Sequence, residues 1–342
     1  MKSKRLYIFI FFLAMIGQGY GQQDPQFSHY MYTILPTNPG IAGTAGICAT
    51  LNYRQQWAGF IDSTEYGRFK TSPTDIMFTL HAPIKALHGG LGLTVLTDAL
   101  GYQNDVTVKL AYSYKMNIGG GILGIGPSID MLSRKIKQNI WVPGESGDPV
   151  LIGQMGETDM LFGVSVGAYY IMQEKWYAGL SATQIVSFGG DKVGQKGVPH
   201  LYAIGGYTYV LPSNPNWTLK PSALLKSDLK VIPQLDLTMI AEWNEFFWFG
   251  VTYRMVDAAI LLAGAKPFAN MPSAIRGLEV AIAYDITTSR LNNMYNKGGS
   301  DGRRSFGSPE VMVKYCFKIV TNPTIYGYKG TRLLGNRPIE YR

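Results

Sequence analysis

The sequence predicts an all-β fold, a transmembrane antiparallel barrel of fourteen strands, and three observations carry that prediction. Apolar and polar residues alternate one by one over long segments, the connections alternate between long and short, and an export leader stands in front. Composition narrows the field first. Of 342 residues 46% are hydrophobic and only 16% charged, against about 25% charged in ordinary soluble domains. Such apolar content excludes disorder, and a chain with only Cys48 and Cys316 is no disulfide scaffold. No stretch of the roughly 20 apolar residues needed for a spanning helix occurs, which excludes a helical bundle.

The leader comes first. Lys2, Lys4 and Arg5 precede an apolar run from Leu6 to Ile16, and Gly19-Tyr20-Gly21 is a small-residue site before Gln22. Residues 1–21 therefore read as a signal peptide cleaved after Gly21, the apolar run being too short to span a bilayer. The positive excess left behind is modest and spread out, with no basic run interleaved with aromatics. Nucleic acid is not an expected partner.

The barrel follows at 45–318. Val106, Val108, Leu110, Tyr112 and Tyr114 alternate with Thr107, Lys109, Ala111, Ser113 and Lys115. The same period appears in Ile47–Arg54, Phe247–Arg254, Leu278–Asp285 and Val311–Lys318. Strands are expected at 45–54, 73–82, 89–98, 104–115, 119–132, 160–170 and 174–187. Seven more are expected at 200–210, 217–225, 229–239, 244–254, 258–266, 276–285 and 308–318. Most are long enough to cross a bilayer at a tilt, for which about 9–11 residues are needed. Lys109, Arg254, Glu279, Asp285 and Lys314 fall on the polar face and suit a hydrated lumen better than a dry two-sheet core.

The connections give an independent test. Segments 55–72, 133–159, 188–199 and 286–307 follow odd-numbered strands, whereas 116–118, 171–173 and 240–243 follow even-numbered ones. That is the long-loop, short-turn alternation of outer-membrane barrels, with both termini periplasmic and the long loops outside. Short connections after strands nine and eleven break the rule. Tyr169, Tyr170, Trp176, Tyr177, Tyr207, Tyr209, Trp217 and Trp243 near strand ends suit interfacial girdles.

Chemistry is sparse. His29, His81, His88 and His200 are scattered without metal-ligand spacing. Gly90-Leu91-Gly92 and Gly124-Ile125-Gly126 lie inside strands, so they permit bends or close packing and are not phosphate loops. His81 has no serine placed to receive a proton from it, so a lipid-hydrolysing site is not expected. No cofactor, metal or catalytic residue is predicted, and the chain is not expected to be an enzyme. Cys48 and Cys316 fall on the polar parity of the first and last strands; a disulfide across the closing seam and two inert thiols are both open readings.

Residues 22–44 fit neither period, yet they are dense in aromatics, prolines and amides. They are expected to form a lid or plug across the periplasmic mouth, or a docking surface for a partner, through Asp24, Pro25, Gln26, Phe27, Tyr30, Tyr32, Asn38, Pro39 and Gly43. Loop 55–72, with Trp57, Phe60, Tyr66 and Phe69 beside Arg54, has the composition of an interface, as has Trp141 in loop 133–159. Residues 319–342, with Lys329, Arg332, Arg337 and Arg342, are expected to be a cationic periplasmic tail.

Asp24-Pro25-Gln26-Phe27-Ser28-His29-Tyr30 followed by Asn38-Pro39-x-x-Ala42-Gly43 resembles the opening signature of the PorP/SprF family of type IX secretion and gliding proteins. Tyr53-Arg54-Gln55-Gln56-Trp57-Ala58-Gly59, Ser72-Pro73-Thr74, Thr97-Asp98-Ala99-Leu100-Gly101, Tyr284-Asp285-Ile286 and Ser308-Pro309-Glu310 extend it over the mature chain. Gly40-Ile41 departs from the Ala-aromatic pair usual in the family. The resemblance implies a fatty-acid-transporter-like barrel in the outer membrane, in contact with its lipid. It further implies that the barrel binds the C-terminal domain of a secreted adhesin and supports its secretion or anchoring. The type IX translocon or periplasmic ring lipoproteins are its further implied partners. The other reading is a channel for small hydrophobic or polar solutes, which rests on fold analogy.

Overall fold

The computed structural model describes residues 25–44, 46–59, 61–64, 67–70, 72–101, 103–136, 158–173, 175–190, 197–228, 233–255, 257–269, 277–288 and 306–317. The leader at 1–21, the tail at 319–342, Asp24, Phe60, Tyr66 and Trp141 lie outside them.

Alternation builds the wall. On β6 (Gln103–Ile118) Leu110 is 60% exposed while its neighbour Lys109 is 7% exposed. Apolar side chains outside and polar ones inside invert the soluble pattern, because the outer solvent is lipid. The other wall strands are β1 (Ile47–Gln55), β4 (Thr74–Ile84), β5 (Gly89–Leu100), β7 (Gly121–Ile136), β8 (Thr158–Met172) and β9 (Trp176–Gly189). The circuit continues with β10 (His200–Tyr207), β11 (Tyr209–Val210), β12 (Trp217–Ser227), β13 (Gln234–Trp243), β14 (Phe247–Arg254), β15 (Ala258–Ala265), β16 (Leu278–Thr287) and β17 (Ser308–Phe317).

Every pairing is antiparallel between neighbours, β10 and β11 both pair with β12, and β1 pairs with β17 to close the ring. Counting β10 and β11 as one strand interrupted at Thr208, the barrel has fourteen strands, as the alternation predicts. The tenth strand is displaced: 229–239 was expected, and β13 runs Gln234–Trp243. Its period continues through Ala241 to Trp243, where Trp243 faces Trp217 across the ladder. The turn between β6 and β7 is Gly119-Gly120, both at positive φ (59° and 83°), the two-residue hairpin geometry that glycine alone adopts without strain.

One end of the barrel carries the longest connections, and the other carries most of the short turns, the twelve-residue connection 266–277 and the free ends of β1 and β17. The wall is uneven. Strands β6 and β7 have 16 residues each, β14 and β15 have eight, so one side is about twice as tall at a common rise per residue. The short connections after β12 and β14 lie on this low side, but the two-residue link after β5 lies on the tall one, so the loop alternation fails on both. Within segment 55–72, β2 (Ile61–Thr64) pairs with β3 (Gly67–Lys70) as a separate hairpin.

Candidate functional site

The lumen is filled. Residues 25–44 run through it, and nearly all are buried. Gly43 packs against Ala82 and Gly90 at the turn end, whereas Gln26 exchanges side-chain hydrogen bonds with Gln234 at the loop end (2.8 and 2.9 Å). The segment is therefore not a lid across one mouth, as expected from its composition; it threads the barrel's height. Nine-tenths-buried polar wall residues require partners, and the plug supplies many of them.

At the loop end the partners are charged. Glu310 accepts from the backbone N–H groups of Ser28 (2.6 Å) and His29 (3.1 Å) and lies 2.7 Å from His29 Nδ1. Arg54 donates to Ser28 Oγ (2.6 Å), Glu310 (3.2 Å) and Asp285 (2.7 Å). Ser28 Oγ donates to Asp285 Oδ1 (2.6 Å). Arg254 continues the chain, bonding Asp285 (3.2 Å) and Asp236 (3.0 Å). Arg54, Arg254, Asp285 and Glu310 are all buried, so these are charge-assisted bonds at low dielectric. The two plug residues Ser28 and His29 are locked to the wall here.

Midway, the Tyr30 hydroxyl donates to Thr238 (2.9 Å) and lies 3.2 Å from Ser222. Tyr32 stacks on Trp248 at 5.2 Å between centroids, with Lys314 Nζ 5.3 Å from its ring. Trp248 in turn donates to Glu279 (2.8 Å).

Toward the turn end, side chains hold backbone groups and the plug and wall backbones come close. Asn38 Oδ1 accepts from Gly40 N (2.9 Å) and caps the short helix Pro39–Ile41, while its amide donates to the Ala168 carbonyl (2.9 Å). The Gly40 carbonyl accepts from Ser113 and Lys115 (2.8 Å each), and Lys115 also reaches Thr44. A Cβ on Gly124 would stand 2.2 Å from the Gly40 oxygen, and one on Gly90 2.4 Å from the Ala42 oxygen. The intrastrand glycines thus let the plug backbone touch the wall.

Several sequence expectations change. Arg54 is not an external loop residue but part of the internal lock. Tyr169 and Tyr177 leave the girdle and stack inside the lumen (5.8 Å), beneath the plug. The polar face is not an open hydrated lumen: Lys109, Arg254, Glu279, Asp285 and Lys314 are buried against partners and plug. Trp57 is half-buried at the loop-end rim at φ 49°, its N–H donating to Ser308 (3.0 Å). Phe69 stands opposite Asp62 in the rim hairpin. Cys48 and Cys316 are register partners on β1 and β17 and form a disulfide, 4.1 Å between Cα atoms. Glu310, Asp285, Arg254 and Asp236 were not singled out as site residues. Their signal was available: all four sit on the lumen parity at the loop ends of β13, β14, β16 and β17.

An apolar outer belt, an ion-paired interior and an intrinsic plug define an outer-membrane-type β-barrel with a filled lumen. Residues 19–300 match the family described as type IX secretion system membrane protein PorP/SprF, and the chain belongs to that family. No curated protein matches the sequence. Similar solved structures include a Pseudomonas aeruginosa FadL homologue (15% identity, 89% of this chain and 96% of that one, TM-score 0.43). The Acinetobacter baumannii outer-membrane protein Omp33 (8% identity, 80% and 99%, TM-score 0.42) and the KdgM porin (11%, 78% and 99%, TM-score 0.35) are others.

Proposed function

We propose that this chain is a non-enzymatic holding component of the type IX machinery. It carries the C-terminal domain of a secreted adhesin at its long-loop end and supports that domain's secretion or anchoring. The observation that carries this reading is the locked plug in a barrel of this family. A wall built to conduct leaves its polar face to water; here that face is spent on the chain's own residues 25–44. In this reading the leader at 1–21 is removed, the turn end and tail 319–342 face the periplasm toward ring lipoproteins, and rim segments 55–72 and 133–159 face outward. A solute channel would need the plug displaced.

The test is co-purification of the tagged full-length barrel from outer membranes, with deletion of its gene in parallel. A secreted polypeptide should co-purify through its C-terminal domain and vanish from the surface on deletion. Intact secretion with loss of small-solute uptake alone would overturn the proposal.

A further inference from the structure

On the loop side of the plug lies a cavity of about 140 Å³, with Asp236 and Arg254 of the lock in its wall. Its floor is Phe27 and Tyr30 of the plug, and its wall includes Met77 and Leu96, which pack with Phe27, together with Ile204 and Leu224. The plug blocks approach from the turn end, so the way in is the long-loop mouth. Size limits the occupant. A protein cavity of about 150 Å³ lined by Leu, Ile and Phe holds benzene, so this one takes a single ring and not a long acyl chain.

Charge limits it further. The lining also carries Asp98, Asp105, Asp236 and Lys226. Arg134 donates to Asp105 (2.9 Å), Arg254 to Asp236 (3.0 Å), Asp98 stands in register with Asp75, and Lys226 lies 6.0 Å from the Tyr202 ring. Lys109 donates to the Pro36 carbonyl of the plug (3.1 Å). Paired charges satisfy one another and select against an ionic ligand that would have to break them. They still offer dipoles to a neutral hydroxyl beside an apolar floor. Small-molecule sites combine an apolar wall with placed polar groups; here Phe27, Met77, Leu96, Ile204 and Leu224 supply the first and the paired charges the second.

We propose that this cavity is a receptor for one neutral aromatic ring bearing a polar substituent, of the phenol class, entering from the long-loop end. Such a ring has two sources, a free small aromatic or a tyrosine side chain on the polypeptide held at the mouth.

The experiment uses p-cresol, the tyrosine side-chain analogue, titrated calorimetrically into the full-length barrel in nanodiscs. Saturable binding is expected, weakened about tenfold or more, about 1.4 kcal/mol, by either Leu96→Trp or Thr107→Trp. Thr107 lines the cavity from β6 and supplies a second way to fill it. Heat-modifiable gel mobility checks that each variant is folded. Non-saturable uptake, or binding unchanged in both folded variants, would overturn the proposal, because the ring would then be in lipid or elsewhere. The polypeptide co-purified above separates the sources. If p-cresol competes with it and Leu96→Trp weakens it, the ring is its side chain. If it binds both forms equally while p-cresol binding is lost, the cavity serves a free aromatic and the holding function stands apart from it.

Discussion

Arg54 and Glu310 face each other in register across the seam where the first and last strands close the barrel, and both side chains hold Ser28 of the plug. Barrel closure and plug seating therefore share one set of buried charges. Removing one partner of a buried ion pair leaves the other uncompensated, at a cost of about 3–5 kcal/mol.

Arg54→Ala should accordingly release the upper plug. Limited proteolysis of folded barrels should cut within residues 25–30 in the variant and not in the wild type. Equal resistance would show that Ser28 and His29 are held without the arginine.

Close backbone approach gives a paired prediction. Gly90→Ala puts a methyl 2.4 Å from the Ala42 oxygen and 2.5 Å from Gly43 Cα, both backbone, whereas a Cβ on Gly205 meets only the Tyr177 oxygen at 3.6 Å. Overpacking of the first kind costs about 1–3 kcal/mol. Urea unfolding from lipid should show that loss for Gly90→Ala and almost none for Gly205→Ala.

The fourteen strands were legible because a lipid-facing wall leaves a period-two signature in the residues themselves. The lock was not. Parity sends Arg54 inward, but its partners stand 231 and 256 residues away, and aromatic neighbours such as Trp57 made the segment read as rim. Nor does composition say how far an irregular segment travels: residues 25–44 have no period to measure depth by. Depth counted along β1, β14, β16 and β17 would have grouped Arg54, Arg254, Asp285 and Glu310.

The seam also carries the Cys48–Cys316 disulfide, bridging a sequence separation of 268. Loss of a native disulfide typically costs about 2–5 kcal/mol, mainly by releasing the unfolded chain. Cys48→Ser should lower the unfolding midpoint, and unfolded wild-type chain should migrate differently with and without reductant. An unchanged midpoint would place seam stability in the ladder and the Arg54–Glu310 pair alone.

Single-channel recording of the wild-type barrel in planar bilayers tests most directly whether the lumen is built for holding. A closed baseline at ordinary voltages is the expected result, with conductance appearing in Arg54→Ala. A steady open pore in the wild type would contradict the locked plug and the function built on it.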